Sequence, residues 1–138
     1  AAGVRCACVS SGSSAYVTQG LRAMKLDAAI ELVVAGDDEE LDGRHKPDPH
    51  PYLLAARRLG VEPAECIAFE DSLSGIRSAQ AAGMRVIVIR SEATAALPTA
   101  ADPLAAPPPA PEEDGPILPV TALVEDFDAI PRAYLGLS

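Results

Sequence analysis

Residues 85–89, Arg85-Val86-Ile87-Val88-Ile89, are apolar and β-branched at nearly every position and follow Gly83, which closes an apolar-striped stretch. A half-exposed strand would alternate polar and apolar side chains. A run without alternation suits a strand covered on both faces, as in a parallel sheet flanked by helices. Earlier segments repeat the punctuation. Residues 4–9 form an apolar run ending in Ser10-Ser11-Gly12-Ser13-Ser14, and Val17, Leu21 and Met24 then recur at helical spacing, with Ser13 or Ser14 able to cap. Residues 30–34 give a second strand, residues 66–69 a third, and residues 73–82 a helix stopped by Gly83. Alternating strand and helix predicts an α/β fold, an open Rossmann-like parallel sheet in three layers.

The intervening loop carries Gly43-Arg44-His45-Lys46-Pro47-Asp48-Pro49-His50-Pro51, whose prolines predict an extended course. After it Tyr52, Leu53, Ala56 and Leu59 make an apolar stripe that Gly60 ends. With 138 residues, 49% of them hydrophobic, one compact domain with a buried core is expected. The division read from composition is a core domain over 1–92, a flexible Ala/Pro-rich insertion over 93–116 bearing Glu112-Glu113-Asp114, and a C-terminal strand and tail over 117–138.

A net charge of −9 repels phosphate backbones and leaves no basic patch for nucleic acid or an anionic membrane. No apolar run approaches the roughly 20 residues of a membrane span. Three cysteines, Cys6, Cys8 and Cys66, lack CxxC spacing and read as small buried hydrophobes in a reducing compartment, so a soluble intracellular or organellar protein is expected.

In an open α/β sheet, ligands bind beyond the carboxyl ends of the strands. Ser10-Ser11-Gly12 and Glu70-Asp71 leave strands there. Adjacent carboxylates repel, and a cation beside them relieves the cost; magnesium, a hard oxygen-seeking ion, suits the pair. Equally, either acid can cap the helix that follows. Lys46 on its proline-stiffened loop can neutralise a phosphate oxygen, where a lone loop lysine would simply be solvated. Ser10, Ser11 and Gly12 can cradle a phosphate through hydroxyl and backbone N–H groups, or merely begin a helix. A serine hydrolase is disfavoured because Ser11-Gly12 lacks the GxSxG elbow, and His45 and His50 read as surface residues flanking Lys46.

Together these segments resemble the haloacid dehalogenase superfamily, in particular its β-phosphoglucomutases and small sugar-phosphate phosphatases. Val9-Ser10-Ser11-Gly12 is similar to the second motif of that superfamily, Gly43-Arg44-His45-Lys46-Pro47-Asp48-Pro49 to the third, and Phe69-Glu70-Asp71-Ser72 with Ser74-Gly75-Ile76 to the fourth. The resemblance implies Ser10 bonding the transferred phosphoryl, Lys46 balancing its charge and Glu70 and Asp71 holding magnesium. It further implies an aspartate nucleophile in a DxDx(T/V) strand and a cap domain, neither of which is visible in the sequence. The expectation is therefore an N-terminally incomplete domain whose Ser10 and Glu70 strands lack their shared neighbour. A circular permutation would place Asp126 as nucleophile, but Ala129-Ile130-Pro131 lacks the usual Gly-Thr.

Three functions compete. The first is a magnesium-dependent hydrolase, or a phosphomutase, acting on a small phosphorylated metabolite through an aspartyl-phosphate. The second is a non-catalytic domain. The third, a phosphorylation receiver, places its acidic pair first and its lysine last, the reverse of the order Ser10, Lys46, Glu70-Asp71.

Overall fold

The computed structural model describes residues 3–103, 107, 115–130 and 132. Five strands, β1 (Ala7–Val9), β2 (Leu32–Val34), β3 (Ile67–Glu70), β4 (Arg85–Ile89) and β5 (Ala122–Val124), alternate with three helices, α1 (Ser14–Ala23), α2 (His50–Leu59) and α3 (Leu73–Ala81), until β4. All pairings are parallel, giving the expected α/β fold.

The strands fall into two sheets, β1-β2 and β3-β4-β5. Among the described residues β1 and β3 share no ladder, so each presents an edge to the seam between the sheets. Helix α2 spans that seam. Tyr52 and Ala56 pack with Ile76, Ala79, Val86 and Val88 on one side, and Leu54 and Ala55 with Val34 and Leu41 on the other. In β4 Val86 and Val88 enter the first cluster while Ile87, which points to the opposite face, is also buried.

Two expectations change. Helix α2 starts at His50, inside the proline-rich segment, because Pro51 occupies the first turn, where its missing N–H has no intrahelical partner to lose. The Asp48 carboxylate accepts the His50 N–H at 2.8 Å and so closes the helix start.

The Ala/Pro-rich stretch, expected to be flexible, is fastened to the sheet over its first residues. Thr94 is fully buried, Leu97 packs on the core, and Thr99 bridges Val120, with Ala100 N–H donating to the Val120 carbonyl and Val120 N–H to that of Pro98, both at 2.8 Å. These are long-range backbone pairings that composition does not encode. Residues 104–106 and 108–114 of the segment lie outside the described residues. Asp126 follows β5, separated from the seam by β4 and β3, and its carboxylate accepts the Ala129 N–H at 3.0 Å.

Candidate active site

Each sheet contributes one strand end to the site. β1 runs into Ser10, whose N–H donates to the Val34 carbonyl at 2.9 Å and continues the ladder by one rung. The turn then folds on itself, with the Gly12 N–H donating to Ser10 Oγ at 3.1 Å. That amide is therefore engaged locally, while Ser11 is exposed. The loop after β2 holds the turn from the other side. Gly36 N–H donates to the Gly12 carbonyl at 2.8 Å, and a Cβ at Gly36 would lie 2.3 Å from the Ser11 carbonyl oxygen, so no larger residue fits.

At the end of β3, Glu70 is only 7% exposed. Such a carboxylate needs partners, and three side chains supply them. Lys46 Nζ donates to Oε1 at 2.5 Å, the Tyr52 hydroxyl donates to the same oxygen, and Ser72 Oγ donates to Oε2 at 3.3 Å. The first turn of α3 passes so close that a Cβ at Gly75 would sit 2.1 Å from the carboxyl carbon. Ser72 is the residue that caps α3, accepting the Gly75 N–H at 3.1 Å. Neither Glu70 nor Asp71 is the cap, so helix capping does not account for the pair.

Lys46 joins the two halves. Besides the Glu70 carboxylate, its ammonium reaches the Val9 carbonyl at the end of β1 (3.1 Å) and lies 5.0 Å from the centre of the Tyr52 ring. Its side chain is 11% exposed, so this ion pair is largely withdrawn from solvent. Burial and the neighbouring Glu70 charge push the Tyr52 hydroxyl well above its ordinary range, keeping it a neutral donor. Burial likewise raises the Cys8 thiol, against the lowering influence of Lys46.

Asp71 is exposed and lines a cleft of about 230 Å³ with Phe69, Glu70 and Ile89. Among the described residues no three His, Cys, Asp or Glu side chains form a metal-holding group. The donor chemistry nevertheless suits magnesium, which commonly takes one or two carboxylates and completes its shell with phosphate and water. Asp71 stands at the surface, and among the described residues Glu70 Oε2 has only a long hydroxyl contact.

The sequence singles out Lys46 and Glu70, which the structure brings together, but gives no sign of Tyr52, which meets the same carboxylate. Tyr52 reads as one apolar position of a helical stripe, and nothing in that pattern reports where its hydroxyl ends. The acidic loop is a scaffold: Asp37 accepts the Ser14 N–H at 2.7 Å, and Asp38 forms a two-pronged pair with Arg58 at 2.6 and 3.0 Å. His50 meets the Glu40 carbonyl at 2.8 Å and Arg44 at 3.1 Å, and His45 is exposed.

The profile of the haloacid dehalogenase-like hydrolases matches residues 1–89. The chain belongs to this family. Among similar haloacid dehalogenase-like proteins is fructose-1-phosphate phosphatase YqaB of Escherichia coli, 40% identical over 83 residues, which cover 59% of this chain and 43% of YqaB. Protein CbbY of Rhodobacter capsulatus is 48% identical over 65 residues, 47% of this chain and 27% of that protein. The crystal structure of CbbY from Rhodobacter sphaeroides in complex with phosphate superposes with a TM-score of 0.72 at 28% identity, covering 99% of this chain and 53% of that one. The chain thus spans about half the length of such relatives, or less.

Proposed function

We propose that the chain forms the phosphate- and metal-holding side of a magnesium-dependent phosphomonoester hydrolase for sugar phosphates or similar small metabolites. The observation that carries this reading is Lys46, whose one ammonium touches both the end of β1 and the carboxylate at the end of β3. It stands where a phosphoryl group beside Ser10 would need positive charge.

In the proposed mechanism Ser10 Oγ, which accepts from Gly12 N–H, keeps its own proton to donate to a phosphoryl oxygen. Lys46 balances charge on the transferring oxygens from within a dry setting, where electrostatic stabilisation is strongest. Glu70 and Asp71 would hold magnesium, which when bound supplies further neutralisation of phosphate charge. The nucleophilic aspartate, giving an aspartyl-phosphate, belongs on a strand entering the seam between β1 and β3, whose facing edges the described residues leave unladdered. The relatives support the substrate class: YqaB is named a fructose-1-phosphate phosphatase, and CbbY of Rhodobacter sphaeroides has been crystallised with xylulose-(1,5)bisphosphate.

A binding-only role is the second reading, favoured by the engagement of Lys46 with Glu70 in place of any nucleophile. Joining the chain to an aspartate-bearing DxDx(T/V) strand and incubating the joined protein with p-nitrophenyl phosphate and magnesium separates the two. Product release abolished in Lys46→Ala is the outcome expected of the hydrolase. Saturable binding of inorganic phosphate beside Ser10 and Ser11 with no turnover would leave the binding role.

A further inference from the structure

The Glu70 carboxylate is held asymmetrically. Oε1 receives two donors from different elements, Lys46 on the proline-rich loop and Tyr52 on α2. Among the described residues Oε2 receives only the Ser72 hydroxyl, at 3.3 Å. A carboxylate oxygen has two acceptor positions, so two donors saturate Oε1 while Oε2 keeps capacity for another partner. The terminal torsion of a glutamate is broad and two-fold, and with Lys46 alone the two oxygens would exchange easily. The second donor on the same oxygen, and α3 lying against the carboxyl group at Gly75, remove that freedom.

Tyr52 is placed for this task by its own packing. It is 7% exposed within the main core cluster, its ring lies under the Lys46 ammonium, and its helix is anchored on both sheets. We propose that Tyr52 is a positioning residue for a divalent cation: with Lys46 it occupies Glu70 Oε1 and so presents Oε2, beside Asp71, to the metal. This rests on the cation-binding reading of Glu70 and Asp71 above and adds to it which oxygen binds and what selects it.

The test uses the full chain and manganese alone as the probe, following paramagnetic broadening of the Glu70 and Asp71 amide signals. Losing a hydrogen bond that orients a metal ligand weakens metal binding by about 10- to 100-fold, and that loss is expected in Tyr52→Phe, which keeps the ring. The carbon-13 signal of the Glu70 carboxyl should shift in the same variant without metal. Leu54→Val, which loosens the same helix away from Glu70, should bind manganese as the parent does. Unchanged manganese affinity in Tyr52→Phe overturns the proposal while leaving the metal site standing, and so does an equal loss in Leu54→Val. Absence of saturable, Asp71-dependent broadening in the parent chain overturns the metal site and this inference together.

Discussion

The two strand ends that make the site are built differently. At the end of β3, Glu70 is buried and fixed by Lys46, Tyr52 and Ser72, which come from a loop and two helix starts. After β1, the Ser10 turn is more open and is closed chiefly by its own Gly12 N–H, with Gly36 alongside. The first is a tertiary construction in a low-dielectric setting and is sensitive to the loss of any member. The second is a local turn whose shape follows from three consecutive residues. The candidate site thus combines a buried, ion-paired carboxylate with a more exposed hydroxyl turn.

The contrast breaks first at Lys46. Lys46→Ala leaves a buried carboxylate without its cation, and removing one partner of a buried pair costs about 3–5 kcal/mol. Urea unfolding at neutral pH should show a loss in that range, and a matched Lys46→Met, Glu70→Gln double variant should recover much of it. Gly75→Ala comes next. Its methyl would overlap the Glu70 carboxyl group, and overpacking typically costs about 1–3 kcal/mol; Gly20→Ala on α1, where a Cβ meets nothing within 4 Å, should cost no stability in the same assay.

The β1 rim should be far more tolerant. Ser10→Ala removes one local acceptor at a partly exposed turn, so its stability loss should stay near 1 kcal/mol, while inorganic phosphate binding, read from the Ser11 and Gly12 amide shifts, should fall more than tenfold. A loss of stability equal to that of Lys46→Ala would erase the distinction between the two rims.

The smallest expected effect lies outside both rims. The Arg58 guanidinium holds the Asp38 carboxyl below its ordinary value of 3.8. A depressed carboxylate stabilises the fold above its unfolded pKa, and that contribution disappears as pH falls through the folded value. Arg58→Ala should therefore cost less than about 1 kcal/mol near pH 7, and the difference from the parent in thermal unfolding should shrink below about pH 4.

The local elements were legible because they depend on near neighbours in sequence. Ser13 caps α1 by accepting the Tyr16 N–H, and Gly60 ends α2 at a φ of 68°, a left-handed conformation that glycine adopts without strain. The order Ser10, Lys46, Glu70-Asp71 was likewise readable, since each residue sits in its own short motif. What escaped was set by contact between distant segments. The paired backbone of residues 98–100 with Val120 hides behind an Ala/Pro composition that reads as loose. Tyr52 hides behind its apolar ring.

Sequence alone therefore determined the parallel α/β architecture, the helix boundaries to within a few residues, and which charged groups leave the strand ends. Tertiary structure decided how those groups engage one another. It set Ser72 rather than either acid as the cap of α3, and it tied Lys46 to both sheets. It also put a phenol and an ammonium on one oxygen of Glu70. The physical reason is the range of the forces: caps, turns and periodicity act within a few residues, whereas the partners of a buried charge are found only when the core closes around it.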